Sequence, residues 1–301
     1  MKTNDVNKTK SIYLLLGIFL WGSASYAAPI TFNTALPVAK GEFLFREQLI
    51  INQSGDDPST RERDRTVKIA ASVLAYGINS DLAVFGILPY LDKKLKLTMG
   101  AERVSRSASG FGDMTIFARY TVYKQNKPGQ NFRVAPFAGI KMPTGEDDEH
   151  DNLGRLPPSV QLGSGSWDPL IGVVTTFQTL KYQLDGQISY QAKNEANRFE
   201  AGDVTRLDGS LQYRLLPKSL SGGGTPGFLY GVIEANWIHQ QENRINGVSD
   251  RNSNGTRLFL SPGIQYVTRR WITEAAIQIP VSQNLNGVAL ENDYIGRLSV
   301  R

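Results

Sequence analysis

Residues 181–193 read KYQLDGQISYQAK, and the alternation in this stretch decides the fold class. Leu184 and Ile188 fall on one face of an extended strand, and Asp185 and Gln187 fall on the other. An ordinary strand in a soluble sandwich or jelly roll has about five or six residues. A strand this long with one apolar and one polar face favours a membrane barrel over those soluble folds.

The same period of two recurs along the chain in segments of about ten to fifteen residues separated by turn signals. These segments predict twelve strands, at about 40–52, 65–78, 82–92, 111–125, 131–143, 165–179, 181–193, 203–216, 226–240, 255–269, 271–282 and 291–301. Short connectors such as 79–81 alternate with long ones such as 93–110, as in bacterial outer-membrane barrels. A membrane band about 25 Å tall needs about ten residues per tilted strand. We therefore predict an all-β fold, a transmembrane antiparallel β-barrel of about twelve strands with up-and-down topology.

The first 27 residues have the three-part layout of a secretory signal peptide. Three lysines lie in a polar start, SIYLLLGIFLWG is apolar, and SASYAA supplies small residues. The apolar run is too short for a spanning helix, which needs roughly 20 residues. We expect cleavage after Ala27, which divides the chain into a signal peptide (1–27) and an outer-membrane barrel (28–301). Export by the Sec pathway to the outer membrane of a Gram-negative bacterium follows from this layout.

The composition argues against several kinds of chemistry. The chain has no cysteine and only two histidines, so disulfide scaffolds, thiolate metal sites and cysteine nucleophiles are excluded. The net charge of +5 lies partly in the predicted signal peptide, so we expect no nucleic-acid partner. We expect no metal and no cofactor. His239 near the end of the ninth strand lacks a serine partner in a distinctive motif, so we expect no enzyme, although a membrane lipid-modifying enzyme stays a less favoured alternative.

Three stretches together resemble a known family. They are SGFGDMTIFARY at 109–120, APFAGIKMPTGEDD at 135–148 and LPPSVQLGSGSWDPLIGVVTT at 156–176, preceded by the pair Pro89–Tyr90. They are similar to the MetA-pathway of phenol degradation family of outer-membrane β-barrel proteins, which are transporter-like. The resemblance implies small, aromatic or hydrophobic solutes and brings no catalytic residues. Its motif residues here are Gly112, Asp113, Pro136, Pro143, Thr144, Gly145, Gln161, Gly163, Trp167 and Asp168. The C-terminus departs from the usual barrel ending because Arg301 follows Val300 and no aromatic residue closes the chain.

Charged residues on the predicted inward faces are candidates to line the lumen. They are Arg46, Lys68, Asp113, Arg119, Asp185, Arg206, Asp208, Arg214, Glu234, Arg257, Glu274 and Arg297. Two interpretations stay open. Charges of both signs can line an aqueous path that selects solutes, or they can pair with one another and hold the lumen closed. Phe111, Phe117 and Phe259 are expected to face inward as possible solute contacts.

The loop 144–164 is long and rich in glycine and proline, and we expect it to fold inward and narrow the pore. Its acidic residues, from Glu146 to Asp151, form either a cation site or, more simply, a solvated surface. The predicted function is passive permeation of small solutes through a polar lumen gated by outer loops. The alternative is a structural or adhesive barrel with a sealed lumen. The expected partners are outer-membrane lipid and lipopolysaccharide, the barrel-assembly machinery and a small-molecule solute.

Overall fold

The computed structural model describes residues 27–219 and 227–301, and strands make up its regular structure. The strands are β1 Phe43–Ser54, β2 Asp64–Gly77, β3 Leu82–Met99, β4 Glu102–Phe111, β5 Thr115–Tyr120, β6 Tyr123–Lys127, β7 Gln130–Lys141, β8 His150–Asp151, β9 Gly154–Arg155, β10 Asp168–Thr179, β11 Tyr182–Gln191, β12 Phe199–Glu200, β13 Val204–Leu216, β14 Phe228–Gln240, β15 Asn243–Ile245, β16 Val248–Asp250, β17 Gly255–Val267, β18 Ile272–Leu285 and β19 Tyr294–Val300. The predicted signal peptide lies outside the described residues except for Ala27. None of the described residues forms a helix long and apolar enough to cross a membrane.

The main sheet closes on itself and confirms the predicted barrel. β1 pairs antiparallel with both β2 and β19, which joins the two ends of the chain. The segments β4, β5 and β6 follow one another along a single position between β3 and β7. Counted in this way, the barrel has twelve antiparallel positions. Two small sheets, β8–β9 and β12–β15–β16, lie in the long loops.

The segment predicted as the loop 93–110 is instead an extension of the barrel wall. β3 continues to Met99, and its residues 90–99 pair with the whole of β4. Outward side chains in this extension are polar and exposed, among them Asp92, Lys94 and Lys96. The wall therefore continues beyond the membrane, where its outer face is polar and exposed and its apolar inner face packs against the loop residues Leu156 and Val160.

The barrel wall is apolar outside and polar inside, the reverse of a soluble protein. Ile171, Ile188 and Ile233 on the outer face are 60%, 55% and 55% exposed. Fully buried side chains include the polar residues Gln183, Gln212, Gln265, Gln278, Glu234, Glu274 and Asn236. Exposed aromatic residues near strand ends, including Tyr76 and Trp271, suit the interfaces of a membrane.

The chain before β1 lies inside the barrel. We call residues 27–42 the N-terminal segment. Ala28, Ile30 and Ala35 of this segment are buried, and their main-chain groups bond to side chains that project inward from the wall. The segment rejoins the wall where Gly41 N–H donates to Gly77 O over 2.7 Å.

Candidate functional site: the barrel lumen

Glu234 of β14 holds the start of the N-terminal segment. Its carboxylate accepts hydrogen bonds from Ile30 N–H at 2.7 Å and Thr31 N–H at 3.0 Å, and from Ser210 Oγ at 3.1 Å. The Thr31 hydroxyl also donates to it. A buried carboxylate is costly unless its oxygens are hydrogen-bonded. The segment supplies those donors, so segment and wall satisfy each other.

A second set of contacts holds the middle of the segment. The Thr34 hydroxyl lies 3.0 Å from Thr176 Oγ1 and 3.0 Å from an oxygen of Asp185. Ala35 N–H donates to Thr176 Oγ1 over 2.8 Å. From β5, two positions away from β10 along the wall, Arg119 donates to Asn33 Oδ1 over 2.8 Å and to the carbonyl oxygens of residues 34 and 36. Side chains of three strands therefore hold the middle of the segment.

Glu274 of β18 joins three parts of the chain. It forms ion pairs with Arg46 of β1 at 2.6 Å and with Arg301 at 2.5 Å, and it accepts a hydrogen bond from Ser299 at 2.6 Å. Arg301 also donates to Pro29 O over 3.2 Å. Arg301 thus closes a network of the first strand, the last strands and the N-terminal segment.

Most of the charged residues predicted for the lumen face inward. Asp208 accepts hydrogen bonds from Arg206 at 3.0 Å and from Asn236 at 2.8 Å. Arg297 donates to Gln278 over 2.7 Å and to Gln48 over 3.0 Å. Arg214 lies over the ring of Phe228, and Arg257 lies at the outer end of β17.

Two of the inward assignments were wrong. Lys68 lies on the outer face, opposite Asp92, with 61% of its side chain exposed. Its neighbours Val67 and Ala71 take the inward positions and are buried. Phe111 is 59% exposed and packs edge-on against Tyr90. The strand is interrupted between β4 and β5, and the interruption reverses which alternate residues face the lumen. Odd-numbered residues such as Phe117 therefore face inward in β5, whereas odd-numbered residues such as Phe111 face outward in β4.

The other two predicted aromatic contacts face the lumen. Phe117 stacks on Phe85 with ring centroids 4.6 Å apart and lies 5.8 Å from Phe137. These rings pack with Ala35 and Val38 of the N-terminal segment. Phe259 is 1% exposed on β17.

Six of the motif residues come together at the outer end of β5, β7 and β10, and with Lys141 and Ser164 they form what we call the motif cluster: Gly112, Asp113, Thr144, Gly145, Gly163 and Asp168. Asp113 accepts hydrogen bonds from Gly145 N–H at 3.1 Å and from Ser164 N–H at 2.9 Å, and it pairs with Lys141 at 2.9 Å. Lys141 also pairs with Asp168 at 2.8 Å. Thr144 Oγ1 accepts from Met114 N–H at 2.8 Å. The cluster therefore ties both ends of the loop 142–167 to the wall.

Glycine is required in this cluster because two backbones touch. A Cβ on Gly163 would lie 2.2 Å from Gly145 O, and a Cβ on Gly145 would lie 2.9 Å from the backbone of both Gly112 and Gly163. Pro136 lies on the outward face of β7, and Trp167 is exposed beside the cluster. Most of the residues that carry the family resemblance therefore have a structural role, which is to hold the ends of the loop 142–167 against the wall.

The loop 142–167 folds onto the inner face of the β3–β4 extension. Leu156 and Val160 are buried against Leu95 and Leu97. Gln161 holds the turn by accepting from Glu149 N–H at 2.9 Å and donating to Leu156 O over 3.0 Å.

A charged pair fastens the tip of the loop to the wall. Arg106 of β4 donates to both oxygens of Asp151 over 2.8 and 2.7 Å. This hydrogen bonding lowers the pKa of the Asp151 carboxyl below its ordinary value. Asp148 of the predicted acidic group pairs with Arg155 at 3.2 Å. Within the described chain, no group of three or more metal-binding side chains occurs.

The position of the N-terminal segment inside the barrel was not predicted from the sequence. Residues 28–42 lack the period of two and contain small and polar residues that suit neither lipid nor a strand. Neutral polar residues such as Thr176 and Gln265 also contact the segment. Their position on the inward face of each strand is the sequence signal that could have identified them.

Comparisons with known proteins agree with this geometry. The family model described as "Putative MetA-pathway of phenol degradation" matches residues 62–280. The chain belongs to this family. Its matched part runs from the last loop residues before β2 to β18, so it includes the motif cluster and most of the wall. No curated protein matches.

Among solved structures, the chain is similar to an outer membrane channel from Pseudomonas putida F1. The TM-score is 0.68 at 13% identity, covering 92% of this chain and 99% of that chain. It also matches the β domain of the Bordetella autotransporter Brka (TM-score 0.45, 11% identity, 85% and 97% covered) and the translocator domain of the autotransporter NalP from Neisseria meningitidis (0.45, 10%, 88% and 89%). At 13% identity, the similarity to the Pseudomonas putida channel establishes the fold. The protein is an outer-membrane β-barrel of this family.

Proposed function

We propose that the protein is a passive channel for small solutes and that the N-terminal segment closes its lumen at rest. The observation that carries this proposal is the way the segment is held. From Ile30 to Ala35 its main chain bonds to side chains of the wall, as at Glu234 and Thr176, and it meets the main chain of the wall near its end, where Gly41 contacts Gly77. Such a segment leaves the lumen without breaking the barrel, because all twelve wall positions pair with one another independently of it.

The outer side of the lumen carries a second constriction in this proposal. The loop 142–167 packs on the inner face of the wall through Leu156 and Val160. The expected gating by outer loops is therefore retained for this loop, while the N-terminal segment controls the periplasmic side. Family membership supports aromatic or other hydrophobic solutes, and the rings of Phe85, Phe117 and Phe137 offer apolar surface beside the segment.

An enzymatic function has less support. The His239 ring stacks near Trp237, with centroids 6.0 Å apart, and its Nδ1 is hydrogen-bonded with Thr256 Oγ1 at 2.9 Å. A nucleophilic site would instead need a serine on one ring nitrogen and a carboxylate on the other. The channel proposal is therefore preferred over the lipid-modifying enzyme.

The test is a deletion of residues 30–38, which leaves the contact between Gly41 and Gly77 intact. We expect the reconstituted deletion variant to show larger single-channel conductance than the wild type. A matched control deletes residues 245–248 at the tip of the exposed hairpin β15–β16 and leaves conductance unchanged. A deletion variant that folds as a barrel but conducts no better than the wild type would overturn the proposal and favour the sealed structural barrel.

A further inference from the structure

The outer lumen contains cations that the wall does not neutralise. Arg65 of β2, Lys93 of β3 and Arg257 of β17 all take inward positions above the membrane band. In the described part of the chain, neither Arg65 nor Arg257 has a carboxylate within salt-bridge distance, and the Nε atom of each is buried without a hydrogen-bond partner. Buried donors of this kind are normally paired.

Arg65 is the cation that links this group, because it lies close enough to interact with each of the other two. The charge of Arg65 acts on both Lys93 and Arg257. Two carboxylates act on these cations at longer range, Glu291 on Arg257 and Asp113 on Lys93. Neither carboxylate forms an ion pair with that cation. Like charges held together in a partly dry site are unfavourable unless an anion lies between them.

The other side of the outer lumen is different because its charges are balanced. Lys141 pairs with Asp113 and Asp168, and Lys193 pairs with Asp168 at 3.2 Å. Two lysines thus meet two carboxylates in the motif cluster. The excess positive charge is confined to the side of Arg65 and Arg257.

The wall between Arg65 and Arg257 is neutral and polar. Gln283, opposite Arg257, donates to Asn292 O over 3.0 Å, and Asn292 donates to Ser54 over 3.1 Å. Ser54 is in turn the pairing partner of Arg65. An anion between the two guanidinium groups would therefore meet amide and hydroxyl groups, and the acidic group beside them is Glu291, whose carboxylate oxygen lies 3.5 Å from Gln283 Nε2.

The next inward residue on each of the three strands is apolar. Val67, Leu91 and Phe259 lie one inward position deeper than Arg65, Lys93 and Arg257, and they are 9%, 8% and 1% exposed. The site therefore has a cationic outer level and an apolar inner level. A guanidinium group is suited to a planar carboxylate because it donates two parallel hydrogen bonds.

We propose that Arg65, Lys93 and Arg257 form a binding site for organic carboxylates that carry an apolar body. The carboxylate lies between the two guanidinium groups, and the apolar body points toward Phe259. This proposal rests on the proposed channel function in so far as it names the class of solute that enters the lumen.

The experiment is isothermal titration of the purified full-length protein in nonionic detergent at low salt. Benzoate is the probe, benzamide is its uncharged counterpart, and inorganic phosphate tests for a simple anion site. We expect the wild type to bind benzoate more tightly than benzamide or phosphate. The double variant R65Q/R257Q should bind benzoate about tenfold more weakly, because two charge-assisted hydrogen-bond partners are lost.

The matched control is K94Q, which removes one positive charge from the exposed outer face next to Lys93 and should leave benzoate binding unchanged, whereas K93Q should weaken it. Unaltered benzoate binding in a folded R65Q/R257Q variant would overturn the proposal, and so would equal binding of benzamide or phosphate by the wild type. Single-channel recording separates the two proposals. If the protein conducts but does not bind benzoate, only the proposed carboxylate site is contradicted. If it binds benzoate but the 30–38 deletion variant does not conduct, only the proposed channel function is contradicted.

Discussion

At the scale of single residues, the lumen depends on charges whose partners come from distant parts of the chain. Glu274 is 1% exposed and is neutralised by Arg46 and Arg301. Because the wall buries this carboxylate, the two arginines are needed to offset its loss of hydration. The alternation of the sequence predicts that the side chains of Glu274 and Arg46 face inward. It does not predict that Glu274 pairs with both Arg46 and Arg301.

Removing Glu274 should therefore destabilise the barrel strongly. We expect Glu274→Ala to lower the free energy of unfolding by about 3 kcal/mol or more, since it leaves two buried arginines without a carboxylate. Urea unfolding in detergent micelles, followed by tryptophan fluorescence, measures the change. Glu102→Ala, at an exposed position of β4, is the control and should have little effect. Equal unfolding midpoints for the two variants would contradict the role given to Glu274.

A second residue-scale prediction concerns the motif cluster. Gly163→Ala should destabilise the barrel by about 1–3 kcal/mol, because its Cβ overpacks the site where Gly145 O would lie 2.2 Å away. Gly209→Ala is the control, since nothing lies within 4 Å of a Cβ at that position. The temperature at which the compact barrel band is lost on an electrophoresis gel reports stability. If both variants lost that band at the wild-type temperature, the close packing of Gly163 against Gly145 would be shown not to stabilise the barrel.

At the scale of the elements, period-two alternation predicts those strands that separate lipid from the lumen. β11 and β13 are such strands: Leu184 faces out and Asp185 faces in, and their predicted bounds agree with the structure within a few residues. The extension of β3 and β4 could not be predicted in this way. Leu95 and Leu97 do alternate with lysines there, but the apolar side faces the loop 142–167 and the polar side faces water, the reverse of a membrane strand.

The attachment of the loop 142–167 gives an element-scale prediction. Leu156 follows Arg155 directly and is buried, so trypsin reaches the bond between them only when the loop detaches. Arg106→Ala removes both hydrogen bonds to Asp151 and should increase the rate of cleavage after Arg155 several-fold. Arg103→Ala removes an exposed pair with Glu62 and should not change it. Cleavage at the wild-type rate in Arg106→Ala would show that the pair does not hold the loop.

The same pair predicts a pH dependence. The pKa of Asp151 is lowered in the folded protein, so its contribution is fully present above the unfolded aspartate pKa of about 3.9 and is lost as the pH falls through the folded value. Hydrogen exchange of the loop amides should therefore stay slow at pH 5 and accelerate only in strong acid. In Arg106→Ala the loop amides should exchange fast already at pH 5. Fast exchange at pH 5 in the wild type would contradict this assignment.

At the scale of the whole molecule, a closed wall and a filled lumen have different origins in the sequence. The wall follows from a local pattern that repeats twelve times, so the fold class was predictable from it, whereas the family was predicted from the resemblance of residues 109–120, 135–148 and 156–176. The filling of the lumen depends on contacts between residues more than 140 positions apart, such as Ile30 with Glu234 and Ala35 with Thr176. Lys68 was assigned to the wrong face because the apolar residues Val67 and Ala71 occupy inward positions of β2, the reverse of the alternation in most of the wall.

The central claim is that the N-terminal segment closes the lumen, and a reversible tether tests it most directly. The chain has no cysteine, and the Thr34 and Thr176 hydroxyl oxygens lie 3.0 Å apart, so the pair T34C/T176C can form a single disulfide between segment and wall. We predict that the oxidised double variant conducts no ions in a planar bilayer, that reductant restores opening events, and that the single variants T34C and T176C do not respond to reductant. Equal conductance of the oxidised and reduced double variant would show that solutes pass without movement of the segment.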